Sequence, residues 1–526
     1  MAEPVPTTYD EMPYINKAFP QTHPDRLATL ARLFGLQSPD IESCRVLELG
    51  CASGDNLIPM AIELPNSRFV GIDLSARQVE QGQRTVTALR LSNIELRQFD
   101  IAAVDASWGM FDYVICHGIY SWVPAPVREH ILAICRDNLA PNGVAYISYN
   151  TMPGWRIRGM IRDMMVYHSA PFSGATAKVQ QARGLLDFLA QSTSTTTSYG
   201  MTLRHELDAI RNEPDAYLFH DHLEEINDAF YFHEFADAAR RHGLEYLAEA
   251  DIGDMLVSNF PPKIAETLQR VATDIIRMEQ YIDFVRNRMF RQTLLVHQGA
   301  ALQRSLDGNR LKGLQISSAA RAESSDPVLT QGANEVFKTP SGGTHNIVDA
   351  LAKTALVLLR KQWPGCLPFE DLAVMVRASL RQSGGAAIVD DDDLSFGGRM
   401  LQGYAVRAVE LRVRPPRLTL AVSSRPVASP LARLQAEQGS PTVTNLRHEP
   451  VKLNELPRRM LPFLDGTRDL DAVTVELVKL AKAGKIGVRE RDGGPVVTDD
   501  ALLARILRQV VESSLPDMVQ VALLLE

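Results

Sequence analysis

Cysteine, charge of one sign and long apolar runs are what this sequence has least of. Its five cysteines (Cys44, Cys51, Cys116, Cys135 and Cys366) are scattered over 526 residues, odd in number and never spaced Cys-x-x-Cys. That excludes a disulfide framework and a cysteine-built zinc site, and implies reduced thiols. No stretch approaches the roughly 18 uncharged apolar residues of a membrane span. The opening "MAEPVPTTYDEMPY" has no basic region leading into an apolar one, so neither export nor insertion is expected. A formal net charge of -8 argues against a broad nucleic-acid-binding surface. The expectation is a cytoplasmic protein with no membrane span and no nucleic-acid partner.

What is present is an ordinary globular composition, 45% hydrophobic and 22% charged, which can bury a real core. The length exceeds what one core serves, so roughly two to four domains are expected. No fixed-period repeat is evident.

Residues 23–34 place Leu27, Leu30, Ala31 and Phe34 at helical spacing, and residues 1–40 read as an N-terminal helical segment able to act as a lid. Between residues 45 and 150 short apolar runs ("RVLELG", "RFVGIDL", "NIELRQFDI", "FDYVICHG", "VAYISYN") alternate with amphipathic stretches. That alternation predicts an α/β domain, a parallel sheet with helices on both faces, over residues 41–260. Residues 151–230 break it with helical patterns and the polar tract "QSTSTTTSYG", read as a mobile loop, so they form a helical insertion placed to cover a substrate. Residues 261–296 begin with prolines and continue at helical period, predicting one or two long helices in a helical middle segment at 261–316. "SSAARAESSDP" at 317–327 reads as a linker, and residues 328–526 as a mostly helical C-terminal domain with a few short strands.

The first strand runs into "ELGCASGDN". Its Gly50-x-Ala52-x-Gly54 spacing lacks the last glycine of a nicotinamide fingerprint, and no Gly-Lys-Ser/Thr follows for a phosphate loop. Asp73, 23 residues after Gly50 at the tip of the second strand, is placed to accept hydrogen bonds from ribose hydroxyls, and Ser75 to cap the next helix. Asp100, ending the third strand, could accept from an adenine amine.

Glu48, Gly50, Gly54, Asp73 and Asp100, in that order, resemble the class I S-adenosylmethionine-dependent methyltransferases with their Rossmann-like sheet. In that family the acidic residue at Glu48 lies near the methionine end of S-adenosyl-L-methionine, the glycine turn lets backbone approach it, and the residue at Asp73 holds the ribose. Ala52, Leu74, Ile101 and His117 are counted with these as cofactor-lining positions. A closer resemblance lies in "FPQTHPDRLATLARLFG", "HGIYSWVP", "SYNTMPGW" and "FRQTLLVH", which are similar to a bacterial family carrying a methyltransferase regulatory domain. Characterised members of that family are protein-lysine methyltransferases acting on an outer-membrane protein. The resemblance implies a winged-helix-like C-terminal domain, a protein substrate with an outer-membrane protein as candidate, and a homodimer as one candidate assembly.

Methyl transfer to an amine requires an oriented, unprotonated nucleophile and exclusion of water. After the fourth strand the chain has His117-Gly118-Ile119-Tyr120 and then Trp122, where many amine methyltransferases have Asn/Asp-Pro-Pro-Tyr. Tyr120 and Trp122 are candidates to wall the acceptor channel, against plain packing, and His117 is a candidate base, against local hydrogen bonding. Tyr149, Asn150 and Trp155 after the fifth strand are candidate substrate contacts, against packing of the insertion. Gln21, Thr22 and His23 are candidates for a lid, against capping by Thr22. His220-x-His222 with Glu224-Glu225 fits no zinc or iron signature, so no metal is expected; the acidic pair could instead attract a lysine-bearing segment. Residues 390–393, four aspartates, read as a solvated loop. A small-molecule methyltransferase and a cofactor-sensing DNA- or protein-binding regulator remain the alternatives.

Overall fold

A computed structural model describes residues 8–14, 16–382, 392–489 and 496–525. The chain divides into two compact units, the described part of Met1–Asn16 with Leu30–Gln303, and Lys17–Thr29 with Arg304–Glu526.

The first unit is built on eight strands: β1 (Arg45–Leu49), β2 (Arg68–Asp73), β3 (Ile94–Gln98), β4 (Phe111–Cys116), β5 (Leu139–Thr151), β6 (Ala229–Phe230), β7 (Leu244–Glu249) and β8 (Phe290–His297). Their order is β3-β2-β1-β4-β5-β8-β7, with β6 pairing β5. β8 runs antiparallel to both neighbours. Strands flanked by helices on both faces must be apolar on both, and Val46 to Leu49 of β1 are all buried. β1 pairs with β2 on one side and with β4 on the other. The strand order therefore reverses there and opens a crevice at the carboxyl ends, where ligands of such sheets bind.

The insertion folds as helices Trp155–Ser169, Ala175–Ser192 and Ser198–Ile210 around a core of its own that includes Ile161, Val179, Leu186 and Leu203. The tract at 191–200, expected as a loop, is mostly helix ends: Gln191 and Ser192 finish one helix, and the Thr197 side chain accepts from Gly200 N–H to start the next. The helical reading of 261–296 holds only in part. Helices Pro262–Val271 and Ile275–Arg286 form, but Asn287 takes a left-handed conformation that ends the second. The chain then enters the sheet as β8, so the first unit extends to Gln303 instead of closing near 260.

The "FRQTLLVH" motif is thus a central strand with a buried charge. Arg291 is fully buried; its guanidinium donates to Asp283 (2.9 Å), Glu249 (2.6 Å) and Glu279 (3.0 Å) and lies over the Phe232 ring. Burial drives the Glu279 carboxyl up to about 7 against the pull of Arg291.

In the second unit, strands Gln315–Ser317, Leu367–Pro368 and Glu410–Arg412 make a small antiparallel sheet, accompanied by helices Ala350–Gln362, Phe369–Gln382 and Asp393–Ala405. Residues 317–327 are no linker, because Ser317, Ser318 and Ala320 are buried and Ser318 Oγ donates to Ala408 O at 2.6 Å. Helices Pro430–Glu437, Leu470–Lys482 and Asp500–Gln520 enclose a separate core containing Leu461, Leu477, Leu507 and Leu515. The strands Thr442–Thr444 and Pro450–Lys452 pair antiparallel as a hairpin beside this core. Of the four aspartates at 390–393, the first two lie outside the described residues; Asp392 caps the next helix and Asp393 pairs with Arg377 at 2.9 Å. No helix among the described residues is long and apolar enough to cross a membrane.

Candidate active site

The carboxyl ends of β1 and β2 carry the first half of the site. Gly50 (φ +75°), Ala52 (φ +49°) and Gly54 (φ +72°) all lie in the left-handed region, which an alanine enters only under constraint. The constraint here is Asp73: its Oδ2 accepts Ala52 N–H at 2.8 Å and its Oδ1 accepts Ser75 N–H at 2.9 Å. Burial raises its pKa, opposed by those two hydrogen bonds. At Gly50 a Cβ would fall 2.2 Å from Ile119 Cδ1, so the bare backbone there faces the turn after β4. Glu48, pointing from β1, is buried. One of its oxygens accepts Asn56 Nδ2–H at 2.7 Å and the other is buried with no hydrogen-bond partner. Burial pushes its carboxyl up to about 8.

The remaining residues expected on this side are more peripheral. Asp100 is exposed and accepts Ala102 N–H at 2.9 Å, while Ile101 is buried behind it. Leu74 is exposed beside Asp73.

The ends of β4 and β5 carry the second half, and here the structure separates the expected residues. Tyr149 is fully buried, stacked on Phe235 at 4.1 Å with its hydroxyl on Thr293 Oγ1. Tyr120 is buried edge-on to Phe230 and Phe235. Both belong to the sheet core, with their rings against Phe235 of the helix Phe232–Arg241, the arrangement of the packing alternative. Trp155 is likewise buried, beside Arg158. His117 is hydrogen-bonded locally through Nδ1 to Tyr146 Oη (2.9 Å) and Ser148 Oγ (3.1 Å).

Trp122 and Asn150 reach upward instead. Trp122 Nε1 donates to His220 O at 3.2 Å. Asn150 Nδ2 donates to Asn227 Oδ1 at 2.9 Å, and Asn227 Nδ2 to Asp221 O at 2.8 Å. These bonds fasten a single π-helical turn, Phe219–Leu223, over the strand ends, a distortion that recurs at functional sites.

The chain's N-terminal segment lies against the same turn. The Tyr9 ring stacks on His220 at 4.2 Å, His220 Nε2 bonds Met12 O at 2.6 Å, and Tyr14 Oη donates to Asp221 Oδ2 at 3.4 Å. Toward the other half of the site, Ser75 Oγ donates to Asp10 Oδ1 at 2.6 Å and Asn16 Nδ2 to Cys51 O at 3.1 Å. Residues 8–14 and Asn16 therefore cover this region of the first unit. Gln21 to His23, expected as the lid, cluster with the second unit. There Thr22 Oγ1 donates to Phe19 O, and His23 Nδ1, not Thr22, accepts Asp25 N–H at the helix start.

The histidines between 220 and 222 have separate fates: His220 Nδ1 bonds Glu224 at 2.7 Å, whereas burial holds His222 neutral, its pKa lowered to about 3. Tyr9, Tyr14 and Asp221 carry no signal in local spacing. Only the mixed histidine and carboxylate run points near them.

Comparison with known proteins agrees with this layout. Residues 46–143 match a methyltransferase domain, 214–297 a predicted methyltransferase regulatory domain and 424–523 the PKMT C-terminal winged helix domain. An uncharacterised protein of Rickettsia prowazekii is 36% identical over 97% of this chain and 92% of its own length. The structure of PKMT2 from Rickettsia typhi in complex with AdoHcy superposes with a TM-score of 0.86 at 32% identity, covering 98% of this chain and all of that one. The chain belongs to the PKMT family.

The PKMT family consists of protein lysine methyltransferases, and this member is an S-adenosylmethionine-dependent methyltransferase. Its own residues fit that cofactor. The unpartnered buried oxygen of Glu48 would take the amino-acid end and Asp73 the ribose hydroxyls, with the glycine turn between them in its left-handed shape. When bound, the cofactor would supply an electrophilic methyl on a sulfonium, open to in-line attack by an uncharged nucleophile with the thioether as leaving group. The protein's part is to hold the turn in its left-handed shape through Asp73, keep Glu48 dry and ready to ionise, and present an acceptor over the ends of β4 and β5.

Proposed function

We propose that this methyltransferase transfers methyl groups to lysine side chains of a protein, with a bacterial outer-membrane protein as the leading candidate. The observation that carries the reading is the chemistry above β4 and β5. Tyr9, Tyr14 and Trp122 and the carboxylates of Asp221 and Glu224 sit together on the π-helical turn. Aromatic faces and carboxylates attract an ammonium, and their burial favours its deprotonation. A neutral small molecule would need neither. The same reading puts the enzyme in the cytoplasm, where an exported acceptor is made, and sedimentation distinguishes a monomer from a homodimer.

The test is transfer of labelled methyl from S-adenosylmethionine into a bacterial envelope-protein extract, with Asp73→Ala as control and mass spectrometry to locate the mark. Methyllysine that disappears with Asp73→Ala is the expected result. Label confined to metabolites, with protein unmarked, would sink the lysine reading and favour the small-molecule one.

A further inference from the structure

We propose that Asp221 is the group that binds the acceptor's ammonium and takes its proton, and that Tyr14 sets the carboxylate's readiness to do so. The inference rests on the lysine reading and goes beyond it by assigning the residue.

The argument starts from placement. The turn Phe219–Leu223 is fixed over the sheet's carboxyl edge by Trp122 from the segment after β4 and by Asn150 from β5 through Asn227. Acceptors of an open α/β sheet bind over that edge. Asp221 is half-buried on this turn, so its carboxylate can still be reached. Its companion Glu224 is already engaged, accepting from Thr8 Oγ1 and bonding His220, whereas among the described residues the Asp221 carboxylate takes a single long hydrogen bond, from Tyr14 at 3.4 Å.

Link to the cofactor side comes through Tyr9. Burial raises the Tyr9 phenol, and the carboxylates of Glu224, Asp73 and Asp221 add to the shift. The Tyr9 ring, stacked on His220 of the turn, therefore also feels the Asp73 carboxylate on the cofactor side.

The electrostatics agree with the geometry. Burial raises the Asp221 carboxyl to about 7, opposed by Arg158 from the helix Trp155–Ser169, by His220, and by the Tyr14 hydrogen bond, with Glu213 raising it further. A carboxyl titrating there is ionised in the working range yet basic enough to accept a proton, as a general base requires. In the step itself the Nζ–H bond breaks, its electron pair stays on Nζ as the nucleophilic lone pair, and the proton passes to a carboxylate oxygen of Asp221. The same dry surroundings disfavour the ammonium and bring the two proton affinities together.

The experiment compares wild type, Asp221→Asn, Asp221→Glu and Tyr14→Phe, using labelled methyl transfer to lysines of a solubilised outer-membrane protein fraction between about pH 6 and 9. AdoHcy binding and thermal melting of each variant are recorded alongside. In wild type, kcat/KM should climb through about pH 7. Asp221→Asn should lose about a hundredfold and lose that limb, and Asp221→Glu should recover part of the rate. Tyr14→Phe should keep the limb but move it to higher pH, because the hydroxyl donor that lowers the carboxyl is gone. AdoHcy affinity should stay within about twofold throughout, since the side chains changed sit on the N-terminal segment and the turn Phe219–Leu223 and not on Glu48, Asp73 or the glycine turn.

If wild type marks lysines and Asp221→Asn does so as fast with the same pH limb, Asp221 is not the acceptor group and the lysine reading survives. If wild type marks no lysine at all, the lysine reading fails and takes this assignment with it. Should Asp221→Asn unfold, the Tyr14→Phe profile decides: an unmoved limb overturns the proposal.

Discussion

The two halves of this active site are built differently although they share one sheet edge. The cofactor half is local: Ala52 and Asp73, joined by a hydrogen bond, are 21 residues apart, and Glu48, Gly50 and Gly54 fall within the end of β1 and the turn that follows it. The acceptor half is assembled from distant segments: Tyr14 and Asp221 are 207 residues apart, and His220 meets Met12 across 208. A small fixed ligand can be held by one supersecondary unit, whereas an acceptor site is adjusted by adding segments around it. The contrast makes the halves separable, and each of the following changes tests that.

Asp73→Ala should have the largest effect. On the proposed assignment it would remove the acceptor for two ribose hydroxyls, each bond worth about 1.5 to 3 kcal/mol to a charged group, and it leaves Ala52 N–H and Ser75 N–H without this partner. Calorimetry should show AdoHcy binding weakened at least about a hundredfold; a loss within about threefold would break the assignment of the cofactor half.

Arg291→Met tests the sheet beneath both halves. It removes the guanidinium that Asp283, Glu249 and Glu279 share and leaves Arg288 as the partner of Asp283 (3.0 Å) and Glu249 (3.7 Å); breaking such a cluster costs about 3 to 5 kcal/mol. Denaturant unfolding should report that loss, while whatever remains folded binds AdoHcy normally.

Glu48→Gln sharpens the comparison through pH. Its carboxyl stands at about 8 against an ordinary 4.5. For the chain alone, the stability it contributes is full below about 4.5 and lost as pH rises through 8. Binding of an ammonium at Glu48 needs the ionised form, so AdoHcy affinity should move the opposite way. It should rise by up to about tenfold per pH unit from 6 toward 8, until the ligand's own amine titrates. The amide, which cannot ionise, should abolish that slope; a slope unchanged in Glu48→Gln would show that another group binds the amine.

The smallest effect belongs to Tyr149→Phe, which deletes only the hydrogen bond to Thr293. About 1 kcal/mol of stability should go, with methyl transfer unchanged. A collapse of transfer would return Tyr149 to the substrate's side.

The same contrast explains what can be read from the amino acids. The five strands of the parallel sheet, the insertion and the C-terminal helices follow from apolar periodicity, while the winged-helix character of the C-terminal domain follows only from the family resemblance. Glu48, Gly50 and Asp73 follow from motif order, because each is fixed by its immediate neighbours. β8 reads as helix since "FRQTLLV" continues an amphipathic pattern, and only the left-handed Asn287 marks the break. Tyr120 and Tyr149 look like site residues because they sit at strand ends, yet alternation along the strand turns Tyr149 into the core. Tyr9, Tyr14 and Asp221 become neighbours only when the insertion closes back on the N-terminal segment, and no local pattern encodes that meeting.

The most direct test measures both halves in one pair of variants: AdoHcy affinity and methyllysine formation, side by side, in Asp73→Ala and Asp221→Asn. The account predicts that Asp73→Ala loses both, and that Asp221→Asn keeps the affinity while losing the methyllysine. An Asp221→Asn protein that is folded and loses AdoHcy binding, or one that forms methyllysine as wild type does, would contradict it.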